Sequence, residues 1–213
     1  MQAPSEPLTF ALAYGNLVHQ VFEKITATGI DNEAAINLYQ TEAEKMPLES
    51  SEIHNLIDKG TASLEISLQA FSDILRHPGS KAEVNFAAEH LIFDGVPLAG
   101  KIDHLKIDEV TKTIEVYDFK TGNYHDGKWT SHSTLYKYMI QLGFYKLLLN
   151  LSPTFSKYQI TKGHILFVTP DREDKVYDRD YEYNAADEQT LKQLIKAVYH
   201  QIITLDFLER PEI

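Results

Sequence analysis

The hydrophobic periodicity of this chain changes near residues 77–79, and that change restricts the fold more than any other feature of the sequence. Before this point, apolar residues such as Leu17, Val21 and Ile25 recur at helical spacing. After it, short β-branched and aromatic runs separated by turn residues are typical of strands. The sequence therefore predicts a helical N-terminal region followed by a sheet, within one mixed α/β domain spanning 1–213.

Capping and helix-breaking residues set the expected boundaries of the elements. Thr9 can cap the first helix and Gly29 can end it, while Pro78 prevents the third helix from continuing. These signals divide the chain into a mainly helical part at 9–78, a sheet-containing part at 81–170 and a C-terminal helix at 187–208. The elements expected within these parts are helices at 9–28, 33–45 and from about 50 to 77, strands at 84–93, 96–107 and 113–120, a helix at 134–151 and a strand at 160–168.

Composition excludes several classes of site. The chain has 213 residues and no cysteine, so disulfides, thiolate zinc sites and cysteine-ligated iron–sulfur clusters are ruled out. No apolar run approaches the roughly 18 residues needed to span a bilayer. The N-terminus lacks a basic start followed by an apolar stretch, so a secretory signal is not expected. We therefore expect a cytoplasmic protein that does not act in a membrane.

The net charge of −11 argues against strong independent binding to duplex nucleic acid, since phosphate binding usually needs a basic surface. The acidity is uneven. Residues 1–99 carry a net charge of −9 and residues 147–213 a net charge of −3, whereas residues 100–146 carry +1. The acidic segments read most simply as solvated helix faces. The near-neutral segment is where the sequence places its chemistry.

A predicted hairpin at 96–120 carries two acids in otherwise apolar strands. Pairing the strands about their polar turn puts Thr113 opposite Ile107 and Asp103 opposite Tyr117, within one position of Asp118. Residues directly opposed on paired strands have β-carbons about 5 Å apart. Two carboxylates that close repel each other unless a positive group lies between them. A divalent cation such as Mg²⁺ or Mn²⁺ meets that need.

Lys120 lies two residues after Asp118 and therefore projects from the same face of the strand. Its ammonium group could orient the attacking water or stabilise charge that develops on a phosphate. Alternatively, Asp118 and Lys120 form a surface ion pair and Asp103 is an ordinary exposed strand residue. The apolar neighbours Val116 and Phe119 indicate a mostly buried strand, and buried charges need partners or a metal. The functional interpretation is favoured.

Two helices contain further candidate residues at a spacing of four. Gly15 precedes His19 on one face of the first helix, and glycine inside a helix costs about 1 kcal/mol relative to alanine, which indicates a close approach by another element. Gln141 and Tyr145 share a face of a later helix and could present an amide and a phenol to a nucleic-acid strand. A histidine or tyrosine at such a position is more often a core residue, so neither pair is informative alone.

Taken in order, these segments resemble the nuclease domain of the RecB family within the PD-(D/E)XK superfamily. Residues 15–19 match G-x-x-x-H, residues 100–103 match G-x-x-D, residues 118–122 match D-[YF]-K-T-G and residues 141–145 match Q-x-x-x-Y. Ile102 stands where the superfamily's name has proline, as is usual in the RecB branch. The resemblance implies a restriction-endonuclease-like core: a central mixed β-sheet flanked by helices, here with an added N-terminal helical region.

The resemblance also implies roles for individual residues. The metal ligands would be His19, Asp103, Asp118 and the backbone carbonyl of Phe119, and the catalytic residues would be Asp103, Asp118 and Lys120. Gln141 and Tyr145 would hold the DNA strand or orient the lysine. Lys101 could touch phosphate, and Glu89 and Gly15 would be accessory residues.

We therefore expect a Mg²⁺- or Mn²⁺-dependent DNA nuclease without an iron–sulfur cluster, acting on single-stranded or unwound DNA in repair or recombination. Cluster-free relatives are often C-terminal domains of RecB/AddA/UvrD-type helicases. This chain has no Walker motif, so a motor would lie elsewhere on the polypeptide or on a partner. One alternative is a catalytically idle nuclease fold that binds DNA or braces a helicase complex. Another is a different histidine-based metallohydrolase, which the absence of HExxH spacing disfavours.

Overall fold

The structure is a computed structural model that describes residues 9–125, 127–128 and 133–205. Within these residues the chain forms six α-helices and seven strands. They are α1 (Phe10–Thr28), α2 (Asn32–Ala43), α3 (Ser50–Ala70), α4 (Ser72–Leu75), β1 (Ser80–Asn85), β2 (Leu91–Phe93), β3 (Val96–Leu98), β4 (Lys101–Asp108), β5 (Thr113–Lys120), α5 (Leu135–Leu151), β6 (Gln159–Phe167), β7 (Tyr177–Glu182) and α6 (Ala185–Thr204).

The first two helices and α5 follow the predicted boundaries closely because their ends carry strong local signals. The predicted third helix, from about 50 to 77, is instead split at Phe71 into α3 and α4. The side chain of Thr9 accepts a hydrogen bond from the amide of Leu12, and Gly29 ends α1 in the left-handed conformation. The predicted last helix begins slightly earlier, at Ala185, and its described part ends at Thr204. Positions 206–208 of that prediction lie outside the described residues.

The sheet is mixed, with the strand order β1-β4-β5-β6-β7. The β5–β6 pair is parallel and is connected through α5, whereas the other neighbours are antiparallel. This is the central mixed sheet flanked by helices that the sequence predicted, and it is consistent with a restriction-endonuclease-like fold.

Four details of the strands differ from the prediction. The expected strand at 84–93 is split into β1, a short 3-10 helix at Ala87–Glu89 and β2, and the expected strand at 96–107 is interrupted at residues 99–100. Strands β2 and β3 form a separate two-stranded hairpin. The edge strand β7 was not predicted, because its sequence YDRDYE is mostly charged and lacks the apolar content of a buried strand.

The two faces of the sheet are covered by different helices. The N-terminal helices α1–α4 share one core with Tyr117, Phe119, Leu166 and Val168. Helix α5 packs on the other face, in a core that contains Ile114, Val116, Ile165 and Phe167. None of the helices in the described part of the chain combines the length and apolarity needed to cross a lipid bilayer. Strand β5 is thus covered from both sides, and its residue Asp118 is enclosed by protein.

Candidate active site

The pairing of β4 with β5 brings the two predicted acids together. His104 lies opposite Tyr117 and Ile107 lies opposite Ile114, so the same register continued by one residue puts Asp103 across from Asp118. The predicted register was wrong by one residue. The turn is one residue shorter than expected, because Asp108 pairs with Thr113 and its carboxylate accepts the amides of the turn. In the observed register the two aspartates lie directly across from each other, and therefore closer together than in the predicted register.

Helix α1 adds the imidazole of His19 to this pair. His19 Nδ1 lies 3.8 Å from Asp103 Oδ2 and 3.6 Å from Glu83 Oε1. Candidate ligand atoms of these three residues all lie within 4.8 Å of one another. A cluster of one imidazole and two carboxylates is a donor set that suits divalent cations.

Gly15 explains how α1 can approach so closely. A β-carbon at this position would come within 3.3 Å of the side-chain hydroxyl of Thr121, at the end of the DFKTG segment. The close approach expected from a glycine inside the helix is therefore confirmed, although the approaching group is a side chain rather than sheet backbone. Gly100 allows a similarly close approach of α5 on the other face of the sheet, because a β-carbon there would meet the side chain of Leu148 at 2.8 Å.

Glu83 belongs to this cluster and was not predicted. It lies in β1 with φ 52, in the left-handed region that non-glycine residues rarely adopt. Its carboxylate contacts both His19 and the ammonium group of Lys101. The only sequence signal was an acid just before the expected strand at 84–93. Glu89, the predicted accessory acid, lies in the short 3-10 helix instead, and the described contacts do not connect it to the cluster.

Asp118 is enclosed by protein and is not part of a surface ion pair, since its side chain is only 1% exposed. The hydroxyl of Tyr145 donates a hydrogen bond to Asp118 Oδ1 at 3.0 Å. The other oxygen, Oδ2, is buried, and its described partner is the ammonium group of Lys120 at 2.6 Å, which leaves one of its lone pairs free. A buried carboxylate oxygen with unused acceptor capacity is what a metal ligand requires before the metal arrives. The residues present therefore fit a divalent cation.

A closed chain of contacts orients Asp118 and Lys120. Lys120 Nζ donates to Gln141 Oε1 at 3.0 Å, and the amide nitrogen of Gln141 donates to the hydroxyl of Tyr145 at 2.7 Å. Tyr145 in turn donates to Asp118, which is paired with Lys120. Gln141 and Tyr145 thus point toward the pair of Asp118 and Lys120, and Tyr145 is only 6% exposed. These contacts favour orientation of the lysine over direct binding of DNA.

The charges of the cluster shift the pKa values of its members. Burial and the nearby charge of Asp118 raise the pKa of Asp103 to about 7. Burial alone would lower the pKa of His19, but the carboxylates of Glu83 and Asp103 outweigh it and the net pKa is raised. Burial would likewise raise the pKa of Glu83, whereas His19 and Lys101 bring it below its usual value. A carboxyl group that is crowded by another acid, as Asp103 is, is expected at a metal site to hold its proton more tightly when no cation is present.

The carbonyl of Phe119, the predicted backbone ligand, also lies on the edge of β5 that faces Asp103. The amide of Phe119 donates to Asp103 Oδ2 at 3.0 Å. In a β-strand the N–H and C=O groups of one residue point to the same side, so the carbonyl of Phe119 also points toward Asp103. Its role as a ligand stays a prediction.

An open cleft of about 530 Å³ leads to the cluster between α1 and the sheet. Its lining includes Glu23 on α1 as well as the cluster residues. Among the described residues that line it, Lys101 is the only lysine or arginine, and its side chain is 55% exposed. The cleft admits a ligand but offers little positive charge.

Comparison with solved structures supports the fold. A crystal structure of a Eubacterium rectale protein named "Putative exonuclease" superposes with a TM-score of 0.60 at 13% identity, covering 97% of this chain and 71% of that chain. A second solved structure, SSO0001, gives a TM-score of only 0.36 at 14% identity, covering 90% and 74% of the two chains, which is too low to support an argument. Among curated proteins, none matches this sequence significantly.

Comparison with family models identifies the chain. The model of the PD-(D/E)XK nuclease superfamily matches residues 2–212, nearly the whole sequence. Nucleases of this superfamily use divalent metals, in agreement with the cluster of His19, Glu83 and Asp103. The match covers every segment that contributes to the site. The chain therefore belongs to the PD-(D/E)XK nuclease superfamily.

Proposed function

We propose that this protein is a divalent-metal-dependent deoxyribonuclease that hydrolyses phosphodiester bonds of single-stranded or unwound DNA. The observation that carries the proposal is the placement of the His19, Glu83 and Asp103 cluster beside the buried pair of Asp118 and Lys120. A divalent cation, Mg²⁺ or Mn²⁺, would polarise a phosphoryl oxygen and lower the pKa of the attacking water.

The remaining roles in the proposed reaction belong to the protein's own residues. His19, Glu83, Asp103, Asp118 and the Phe119 carbonyl would hold the cation, so the ligand set includes one residue more than the sequence predicted. The ammonium group of Lys120, only 24% exposed, would face the reacting phosphate and stabilise the charge that develops there. The product is expected to carry a 5′-phosphate.

The electrostatics of the cleft support a substrate that is delivered to the site. With Lys101 as its only lysine or arginine among the described lining residues, the cleft would bind a phosphate backbone weakly. A helicase motor, on the same polypeptide or on a partner, would supply unwound DNA and compensate for the weak affinity. We therefore place the activity in DNA repair or recombination.

The test is cleavage of fluorescently labelled oligonucleotides, single-stranded and duplex, with Mn²⁺, with Mg²⁺ and with EDTA. The wild-type protein should cut the single strand in the presence of metal, whereas D118N and K120M should not. D180A and K106A are matched controls, because both residues lie on the sheet outside the cluster. Metal-dependent cleavage retained by both D118N and K120M would refute the mechanism.

The idle alternative, a nuclease fold that only binds DNA or braces a complex, is supported by the net charge of −11. Calorimetric titration with Mn²⁺ separates the two. An idle fold that has lost its site should show no heat that depends on Asp118, whereas an active site should bind Mn²⁺ and lose that binding in D118N.

A further inference from the structure

We propose that Tyr138 is a positioning residue for the ammonium group of Lys120, acting together with Gln141 on the same helix. The inference rests on the proposed function. Lys120 Nζ lies 5.1 Å from the centroid of the Tyr138 ring and over its face. That distance is within the range of an attractive cation–π contact.

The position of Tyr138 on α5 supports this role. Tyr138, Gln141 and Tyr145 are spaced i, i+3 and i+7, so they share one face of the helix. That face points at Asp118 and Lys120, since Gln141 contacts the lysine and Tyr145 contacts the aspartate. Tyr138 therefore occupies the turn before Gln141 on the side where the ammonium group lies.

The contacts of Lys120 show what the ring adds. The ammonium group donates to Gln141 at 3.0 Å and is paired with Asp118 at 2.6 Å. Gln141 and Asp118 are two polar neighbours of the ammonium group, and the ring of Tyr138 contacts it as a third neighbour. The ammonium group has three N–H donors, of which Gln141 and Asp118 can take two. Because an aromatic face attracts the cation without accepting its proton in a short hydrogen bond, the third N–H stays available to a phosphate.

The ring is itself fixed in place. Its centroid lies 6.1 Å from that of Phe167 at an interplanar angle of 68°, an edge-to-face arrangement, and Phe167 is fully buried. The Tyr138 ring is thus packed against the core beneath α5, and this contact restricts its rotation. This packing also gives Tyr138 a structural role, which the experiment has to separate from positioning.

Steady-state kinetics of the full chain separates them, with the variants Y138F and Y138L. Y138F keeps the ring and should retain kcat within about twofold, whereas Y138L keeps apolar packing on Phe167 but should lose about tenfold in kcat with KM nearly unchanged. Y136L is the matched control, because Tyr136 is on the same helix two residues away and therefore on a different face. Wild-type kcat in Y138L, an equal loss in Y138F, or a rise in KM alone would overturn the proposal.

A nuclear magnetic resonance measurement tests the contact without relying on activity. The ε-methylene protons of Lys120, assigned by their absence in K120M, should be shifted upfield by the ring current in the wild type and in Y138F. They should return to ordinary lysine values in Y138L. An unshifted Lys120 signal in wild type would refute the contact. Shifted signals in a protein that does not cut DNA would refute the nuclease proposal while leaving the contact intact.

Discussion

The two halves of the candidate site are built on opposite principles. His19, Glu83 and Asp103 lie at an open cleft and hold their charges close together, with side chains 13–29% exposed. Asp118, on the other side, is closed in by α5 and tied to Tyr145 and Lys120. The open half has room for a ligand and holds two carboxylates with Lys101 as the one lysine among its described lining residues, whereas the closed half fixes geometry. Under the proposed function, the open half would complete the binding of the metal and the closed half would orient it.

The largest expected effect follows from neutralising the acid that joins the two halves. D118N keeps the volume of the side chain and an acceptor for Tyr145 but removes the buried charge beside the cluster. We expect kcat/KM to fall at least about a hundredfold, because a metal ligand contributes several kcal/mol of transition-state stabilisation. Single-turnover cleavage of a labelled oligonucleotide measures it. A loss of less than tenfold would show that the closed half does not contact the metal.

The second effect tests orientation within the closed half. Y145F removes the hydroxyl that bonds to Asp118 and Gln141 and leaves the buried ring in place. Outer partners of metal ligands typically matter by about 10- to 100-fold in metal affinity or activity, so Mn²⁺ affinity should fall within that range. Calorimetric titration provides the value, with Y158F as a control at the far end of the sheet. Unchanged Mn²⁺ affinity and unchanged cleavage would reduce the hydrogen-bond chain to a structural feature.

The third effect concerns the pH dependence of stability without metal. The folded-state pKa of Asp103, about 7, lies above its usual value of 3.8, so the folded protein holds a proton that the unfolded chain has released between these limits. Stability contributed by this group is therefore present at low pH and is lost as pH rises through 7.

D103N should abolish that loss. The free energy of unfolding of both proteins is measured with urea in the presence of EDTA. From pH 5 to pH 8, the difference in this free energy should shift in favour of D103N by more than the ~1.4 kcal/mol that one pKa unit represents. The same variant should lose nuclease activity. Parallel pH profiles for the two proteins would contradict the crowding of acids in the open half.

The smallest expected effect tests the backbone of the open half. Glu83 has φ 52, a conformation that costs an L-residue roughly 1–2 kcal/mol and glycine almost nothing. Both E83G and E83A lack the carboxylate, so their difference isolates the backbone. E83G should be the more stable by about 1 kcal/mol, opposite to the usual order within a strand. Urea unfolding of both variants decides it, and a more stable E83A would show that the strand relaxes to ordinary φ.

The comparison also shows which parts of the molecule could be predicted from the sequence. The closed half was accessible because Asp118 and Lys120 are two apart on one strand and Gln141 and Tyr145 are one turn apart on one helix. Local periodicity fixes such relations. The helices were predicted well for the same reason, since Thr9 and Gly29 mark the ends of α1 by local chemistry.

The open half could not be predicted fully from local sequence patterns, because tertiary structure brings its residues together. Glu83 joins the cluster through a left-handed residue inside a strand, which no periodicity indicates. The register of β4 and β5 depends on a turn in which Lys112 has φ 56, so the loop is one residue shorter than its polar composition suggested. The strand β7 is added at the sheet edge by pairing with β6, despite its charged sequence.

We propose that His19, Glu83, Asp103 and Asp118 share one divalent cation, and anomalous diffraction from crystals soaked in Mn²⁺ would locate it. We expect one strong peak within about 2.0–2.6 Å of the imidazole and of carboxylate oxygens that include Asp118 Oδ2. A peak elsewhere, or no peak between α1 and the ends of β4 and β5 at saturating Mn²⁺, would contradict it.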